Sequence, residues 1–211
     1  MRYAAIIGFL AAIGVRCAQL PASPAAGPAE ERTLTIIVHD YAGLPDATLR
    51  ELEKTTTAVL RRTGAQVDWV VCTGRQVRSR PALCDAKLES GRAVLRIVDR
   101  HPGKPAGEGD PLGSAEVKEG YVTLFAAEIR RAAAEYRLPV SSVMAYAAVH
   151  EIGHLLLGPE HSRRGIMTAV WDKGDYRRMI QRSLVFSNAE AARMRQAVQT
   201  PGDSSIASAR R

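Results

Sequence analysis

Three of the five histidines of this 211-residue chain lie within one twelve-residue segment, HEIGHLLLGPEH (150–161). In a helix, His150 and His154 are four residues apart and project from the same face. This spacing lets both imidazoles bind one metal ion at about 2.0–2.1 Å. Glu151 is rotated by about 100° from His150, so its carboxylate can act as a base on the open side of the metal. The segment therefore predicts a catalytic zinc site with Glu151 as the general base.

The residues around this segment predict where its helix begins and ends. Ser141 or Ser142 is a suitable N-cap, and the apolar pattern continues to Leu157. Gly158 and Pro159 then form a stop signal. The zinc-binding segment is therefore expected at the C-terminal end of a long, mostly apolar helix.

A third ligand is expected beyond this helix, because catalytic zinc usually has three protein ligands. Gly158 lets the chain turn back, His161 follows three residues later, and an RGIM segment ends at Met167. These residues resemble the HExxHxxGxxH signature and the methionine-containing turn of the metzincin clan of zinc peptidases, and in particular its matrixin-like members. The resemblance implies one zinc ion bound by His150, His154 and His161, with Met167 beneath it.

The resemblance extends to most of the chain after its N-terminal segment. It implies that LGSAEV forms the edge strand on which an extended peptide substrate pairs, and that FSNAEAARMRQAV forms a closing C-terminal helix. The edge-strand residues nearest the substrate would be Leu112, Gly113, Ser114 and Ala115. The acidic cluster that holds a structural metal in matrixins is missing from GYVTLFAAEI, so a second metal is not expected.

The match to the signature is one residue out of register, which leaves the third ligand open. The glycine and the final histidine each come one position late, and Glu160 occupies the position of the signature's last histidine. A one-residue insertion before Gly158 favours His161, with Glu160 as the alternative. In another class of zinc peptidase the third ligand is a glutamate on a later helix. Glu190 could take that place, although with Ser187 it also forms a capping box.

The remaining pattern predicts one α+β domain with a small mixed, twisted sheet and helices packed on it. Strands are expected over 33–41, 66–73 and 92–100, followed by the two short strands LGSAEV and GYVTLF. Helices are expected from Asp46, as N-cap, to Arg62, from Ala126 to Tyr136, through the zinc-binding segment, and from Ser187 onward. His39 and His101 stand alone in this pattern and are expected to be structural or exposed.

The N-terminal segment has the composition of an export signal. Arg2 precedes an apolar run of about a dozen residues, which is too short to span a bilayer as a helix. We expect residues 1–20 to be a signal peptide or an anchor, 21–31 a flexible lead-in, 32–199 the zinc metallopeptidase domain and 200–211 a disordered tail. Removal of the signal peptide would also remove Cys17. Cys72 and Cys84 would then be the two remaining cysteines of a protein in an oxidising compartment, and a disulfide between them is predicted.

Composition limits the partners of this chain. Its net charge is +7, but the basic residues are scattered and aromatic residues make up only 5% of the sequence. A nucleic-acid-binding surface is therefore not expected. The sequence indicates a secreted, monomeric zinc endopeptidase acting on protein or peptide, with no membrane span after signal removal. A zinc-binding module without catalysis and a zinc hydrolase of small amides are the alternatives.

Overall fold

A computed structural model of the chain describes residues 33–72, 81–84, 91–101 and 111–199. The predicted signal peptide, lead-in and tail lie outside these residues. Five strands and six helices occupy the described part of the chain. In chain order they are β1 (Thr33–Asp40), α1 (Asp46–Arg61), β2 (Gln66–Val71), α2 (Pro81–Cys84), β3 (Arg92–Val98), β4 (Gly113–Glu116), β5 (Tyr121–Phe125), α3 (Ala126–Tyr136), α4 (Val140–Leu157), α5 (Lys173–Ile180) and α6 (Asn188–Gln199).

The five strands form one mixed sheet in the order β2-β1-β3-β5-β4. Strands β1, β2, β3 and β5 are parallel, whereas β4 pairs antiparallel with β5 and forms an edge of the sheet. Ile36 of β1 pairs with Trp69 of β2 on one side and with Ala93 of β3 on the other. Helix α1 connects β1 to β2, as a parallel pair requires a crossover. All five predicted strands and the mixed sheet are confirmed.

Alternating residues of β1 point to opposite faces of the sheet. Leu34, Ile36 and Val38 belong to the main core, which the helices cover, while Ile37 faces a smaller cluster on the other side. Cys72 and Cys84 pack against this smaller cluster and form the predicted disulfide, with an S–S distance of 2.01 Å. The bridge ties the short helix α2, which the sequence did not predict, to the end of β2.

Helix α4 is the central helix of the domain and carries the zinc-binding segment. It is apolar around its whole circumference, and 78% of its 18 residues are buried within the protein. A helix with this composition is expected at the centre of a core. Its predicted cap is wrong: the helix begins at Val140 and Pro139 precedes it. Pro139 has a φ of −60°, and its carbonyl accepts hydrogen bonds from the amides of Ser142 and Val143, so no serine cap is needed.

Helix α1 shows a similar small correction, because Asp46 is its first helical residue and Pro45 takes the N-cap position. The predicted capping box of α6 is confirmed. The amide of Ser187 donates to the Glu190 carboxylate at 2.7 Å, and the amide of Glu190 donates to the Ser187 hydroxyl at 3.3 Å.

Helix α5 was not predicted from the sequence. Asp172 and Asp175 form a reciprocal capping box at its start. Tyr176 and Met179, three residues apart on one face of the helix, are buried in the core. An Asp-x-x-Asp pair before this apolar spacing is the signal that could have revealed the helix. The helix has only eight residues and a glycine in its first turn, so its apolar periodicity is too short to predict a helix from spacing alone.

Candidate metal centre

His150 and His154 are both oriented by backbone carbonyl oxygens. Nδ1 of His150 lies 2.7 Å from the carbonyl oxygen of Ile166, and Nδ1 of His154 lies 3.0 Å from that of Gly158. A carbonyl oxygen can only accept, so each Nδ1 carries the proton and donates it. In a neutral imidazole this leaves the Nε2 lone pair free to bind a metal, which is the usual outer-shell arrangement around zinc.

The two free nitrogens face each other inside the protein. Nε2 of His150 lies 3.1 Å from Nε2 of His154, and both residues are less than 10% exposed. Burial lowers the pKa of His150 to about 4 and also lowers the pKa of His154, so both rings are neutral at pH 7. Two neutral nitrogens on one tetrahedral zinc would lie about 3.3 Å apart. Facing lone pairs at this separation repel unless a cation lies between them.

His161 completes the group. One ligand atom from each of the three histidines lies within 4.8 Å of the others, although His161, on the loop after α4, is exposed. Its ring contacts both other rings, with centroids 5.3 Å from His150 and 4.7 Å from His154. Glu160 is also exposed but is not part of this cluster. The three-histidine donor set fits one zinc ion.

Glu151 is buried beside the histidines, and desolvation raises its pKa to about 7. It lies against the edge strand, where Gly113 makes the close approach possible. A Cβ atom on Gly113 would lie 2.9 Å from Cγ of Glu151 and 2.9 Å from the carbonyl oxygen of Thr123. The glycine therefore lets β4 pass directly over the carboxylate.

Met167 lies in a tight turn on the inner side of α4. Gly165 has a φ of +87°, and the amide of Ser162 donates to the carbonyl of Met167 at 2.8 Å. Met167 is 1% exposed, and its sulfur packs against Gly153, the residue before His154. The adjacent carbonyl of Ile166 is the one that orients His150, so the turn and the histidine are directly linked.

The histidines and Glu151 open into a cleft of about 600 Å³. Edge-strand residues Leu112, Gly113 and Ala115 line one side, while α3 and the segment after the turn line the other. Ser114 alternates to the opposite face of β4 and is exposed. A cleft of this size, lined by both apolar and polar side chains, is typical of a ligand-binding site.

Aromatic residues that sequence reasoning left without a role also line the cleft. The Tyr136 and Tyr176 rings stack with centroids 3.9 Å apart, and Trp171 meets Tyr176 edge to face at 6.2 Å. The Trp171 indole N–H donates to the carbonyl of Ile166 at 3.1 Å. No sequence signal pairs Tyr136 with Tyr176, because α3 and α5 approach each other only in the tertiary structure.

Other sequence candidates lie apart from the three histidines. Both Glu190 carboxylate oxygens have partners, since they accept from the Ser162 hydroxyl and the Ser187 amide. His39 stacks on Tyr41, and His101 packs on Phe125. Arg163 and Arg164, which follow Ser162 on the same loop, are exposed and do not line the cleft.

The mixed sheet and the helix that carries the histidines define a zinc-peptidase-like fold. The structure superposes on a zinc-dependent peptidase from Methanocorpusculum labreanum (strain Z) with a TM-score of 0.50 and 14% identity, covering 75% of this chain and 99% of that one. It superposes on archaemetzincin from Methanopyrus kandleri with a TM-score of 0.52 and 14% identity, covering 82% and 99%. No protein-family model and no curated protein sequence matches this chain. At this identity, the structural likeness concerns the fold.

Proposed function

We propose that this chain is an exported zinc-dependent endopeptidase of the metzincin type. The observation that carries the proposal is the pair of facing Nε2 atoms of His150 and His154. They are 3.1 Å apart, their Nδ1 atoms are held by carbonyls, and His161 and Glu151 lie beside them. A structural zinc site has no need of a buried carboxylate next to it, so Glu151 supports catalysis over metal binding alone.

Each residue of the site has a definite task in peptide hydrolysis. His150, His154 and His161 would hold the zinc, and the carbonyls of Ile166 and Gly158 keep two of the rings in the ligating tautomer. When bound, zinc supplies Lewis-acid chemistry, lowering the pKa of a water and polarising the substrate carbonyl. Glu151 takes the proton from the attacking water and returns it to the nitrogen of the leaving fragment.

Burial and the metal act on Glu151 in opposite directions. Without metal, desolvation holds its pKa near 7, which keeps a large fraction of the carboxyl neutral. A divalent cation nearby favours the ionised form, which is the form a general base requires. With the metal bound, the pKa of Glu151 would lie below 7, and the carboxylate would be ionised and able to accept a proton at neutral pH.

The edge strand suits an extended peptide. Beyond its pairing with β5, β4 borders the cleft, and Gly113 brings its backbone against Glu151. A substrate strand added to β4 would form main-chain hydrogen bonds and run past the histidines. This geometry favours a peptide substrate over a small amide, which would not need a strand edge.

Export is supported by the N-terminal sequence and by the disulfide. The apolar run after Arg2 has signal-peptide length, and the Cys72–Cys84 bond belongs to an oxidising compartment.

The turn around Met167 would correspond to the metzincin methionine turn, supporting the metal site from below without binding the ion.

The test is zinc content together with cleavage of a peptide library by the purified protein, its Glu151→Gln variant and a Glu160→Gln control. We expect one zinc in all three proteins and internal cleavage in wild type and Glu160→Gln alone. Cleavage only at chain ends would exclude an endopeptidase. Zinc without any cleavage would favour the binding-module or small-amide alternatives, and absence of zinc would refute the metal site.

A further inference from the structure

Helix α6 holds both ends of the loop that carries His161. At the start of this loop, the Arg193 guanidinium donates to the carbonyl of Leu157, the last residue of α4, at 2.6 Å. At its end, the Ser162 hydroxyl donates to the Glu190 carboxylate in a short hydrogen bond. Glu190 and Arg193 are three residues apart and therefore lie on the same face of α6. Four residues, 158–161, lie between the two attachment points.

The Glu190 attachment is rigid. Glu190 is 7% exposed, and its second oxygen accepts from the Ser187 amide at 2.7 Å. The capping box therefore fixes the position of the carboxylate to which Ser162 donates. Ser162 is held from its other side as well, because its amide donates to the carbonyl of Met167 at 2.8 Å. The residue next to His161 is thereby tied to α6 and to the turn beneath α4.

His161 needs such support more than the other two histidines. His150 and His154 lie on a buried helix, and a carbonyl oxygen orients each ring. His161 is exposed and lies on a loop, so binding a metal through it requires ordering of the loop backbone. Ordering costs roughly 1–2 kcal/mol per residue when it is not already present in the free protein.

We infer that Glu190, acting through Ser162, and Arg193 are positioning residues that preorganise His161 as the third zinc ligand. This inference rests on the zinc site proposed above. The two contacts reduce the freedom of the loop before metal arrives, so their loss weakens zinc binding through His161 alone. Zinc would leave the variants faster, while the folded domain would stay intact.

The experiment compares Ser162→Ala, Arg193→Ala and the double variant in the full-length protein. Ser162→Ala removes the loop contact but leaves the Glu190–Ser187 capping box in place. Arg195→Ala is the matched control, because Arg195 lies on the same helix and donates to the carbonyl of Thr63 at 2.7 Å, away from the loop. Zinc dissociation constants are measured by chelator competition, and thermal unfolding is measured on the zinc-free proteins.

We expect the double variant to bind zinc about 10- to 100-fold more weakly, the usual effect of losing outer-shell support. Arg195→Ala should bind zinc like wild type, even if it unfolds at a lower temperature. In a His161→Ala background, the double substitution should change zinc affinity little, because the ligand that it positions is gone.

The inference is overturned if the double variant binds zinc as tightly as wild type, if Arg195→Ala weakens binding equally, or if the loss persists without His161. Wild-type protein that binds no zinc would refute the proposed site and this inference together. Wild-type binding with unaffected variants would refute the inference alone.

Discussion

The sulfur of Met167 packs directly against Gly153, the residue before His154. A Cβ atom at position 153 would overlap this sulfur and would come within 3.2 Å of the Phe186 ring. Only a glycine lets the turn lie this close to α4. The contact therefore sets the distance between the helix and the carbonyl of Ile166 that orients His150.

Gly153→Ala is expected to lower the free energy of unfolding by about 1–3 kcal/mol, as overpacking of a core usually does. Urea denaturation would measure the change. The matched control is the same substitution in a Met167→Ala background, where the smaller side chain leaves room for the new methyl group. If Gly153→Ala lowers the free energy of unfolding as much in that background as in wild type, the contact with the Met167 sulfur does not cause the destabilisation.

Gly113→Ala should impair catalysis without removing zinc. The new methyl group would meet Cγ of Glu151 at 2.9 Å and displace the carboxylate, while the three histidines keep their positions. A displacement of about 1 Å can reduce a rate by roughly 100-fold, so we expect kcat to fall by about 10- to 100-fold. Steady-state kinetics and zinc analysis on the same samples check this. Ala115→Gly, on the same strand, should leave Glu151 undisturbed.

Burial of Glu151 predicts a pH-dependent stability difference in zinc-free protein. Its pKa is about 7 in the folded state and 4.5 in the reference state, so the folded state binds the extra proton between these values. Stability from this group is present below pH 4.5 and is lost as pH rises through 7. Raising the pH from 4.5 to 8 should therefore lower the free energy of unfolding of wild type, relative to that of Glu151→Gln, by up to about 3 kcal/mol. Denaturation in chelator at both pH values measures this, and a pH-independent difference would contradict it.

The identity of the third ligand can be tested by two neighbouring substitutions. His161→Ala should weaken zinc binding by more than about 100-fold, beyond the usual loss from an outer-shell partner. Glu160→Ala should leave the affinity unchanged, because Glu160 lies outside the histidine cluster. Chelator competition on both variants gives the comparison. The reverse order of affinities would identify Glu160 as the ligand.

Loss of the disulfide should affect stability and leave the metal site unchanged. Cys72 and Cys84 are 12 residues apart, and a loop of this length contributes roughly 3 kcal/mol. The bond lies at β2, the opposite edge of the sheet from β4. The Cys72→Ser/Cys84→Ser variant should unfold at lower denaturant but bind zinc with wild-type affinity when folded. A change in zinc affinity would indicate coupling across the sheet.

Local patterns were sufficient for much of this protein. Helical spacing alone places His150 and His154 on one face of α4, and alternation of apolar residues predicts the strands of the sheet. The Ser187–Glu190 capping box and the cysteine pair are also visible in sequence, because each depends on residues close together along the chain. The short, glycine-containing helix α5 lies at the limit of such reasoning.

Tertiary structure decided what depends on residues far apart in sequence. Sequence left His161 and Glu160 as alternatives for the third ligand, and the fold brings His161, but not Glu160, into the histidine cluster. The carbonyls that orient the histidines, the passage of Gly113 over Glu151 and the attachment of the His161 loop to α6 all involve backbone groups or distant elements. Backbone carbonyls have the same chemistry in every residue, so their positions carry no sequence signal until the chain has folded.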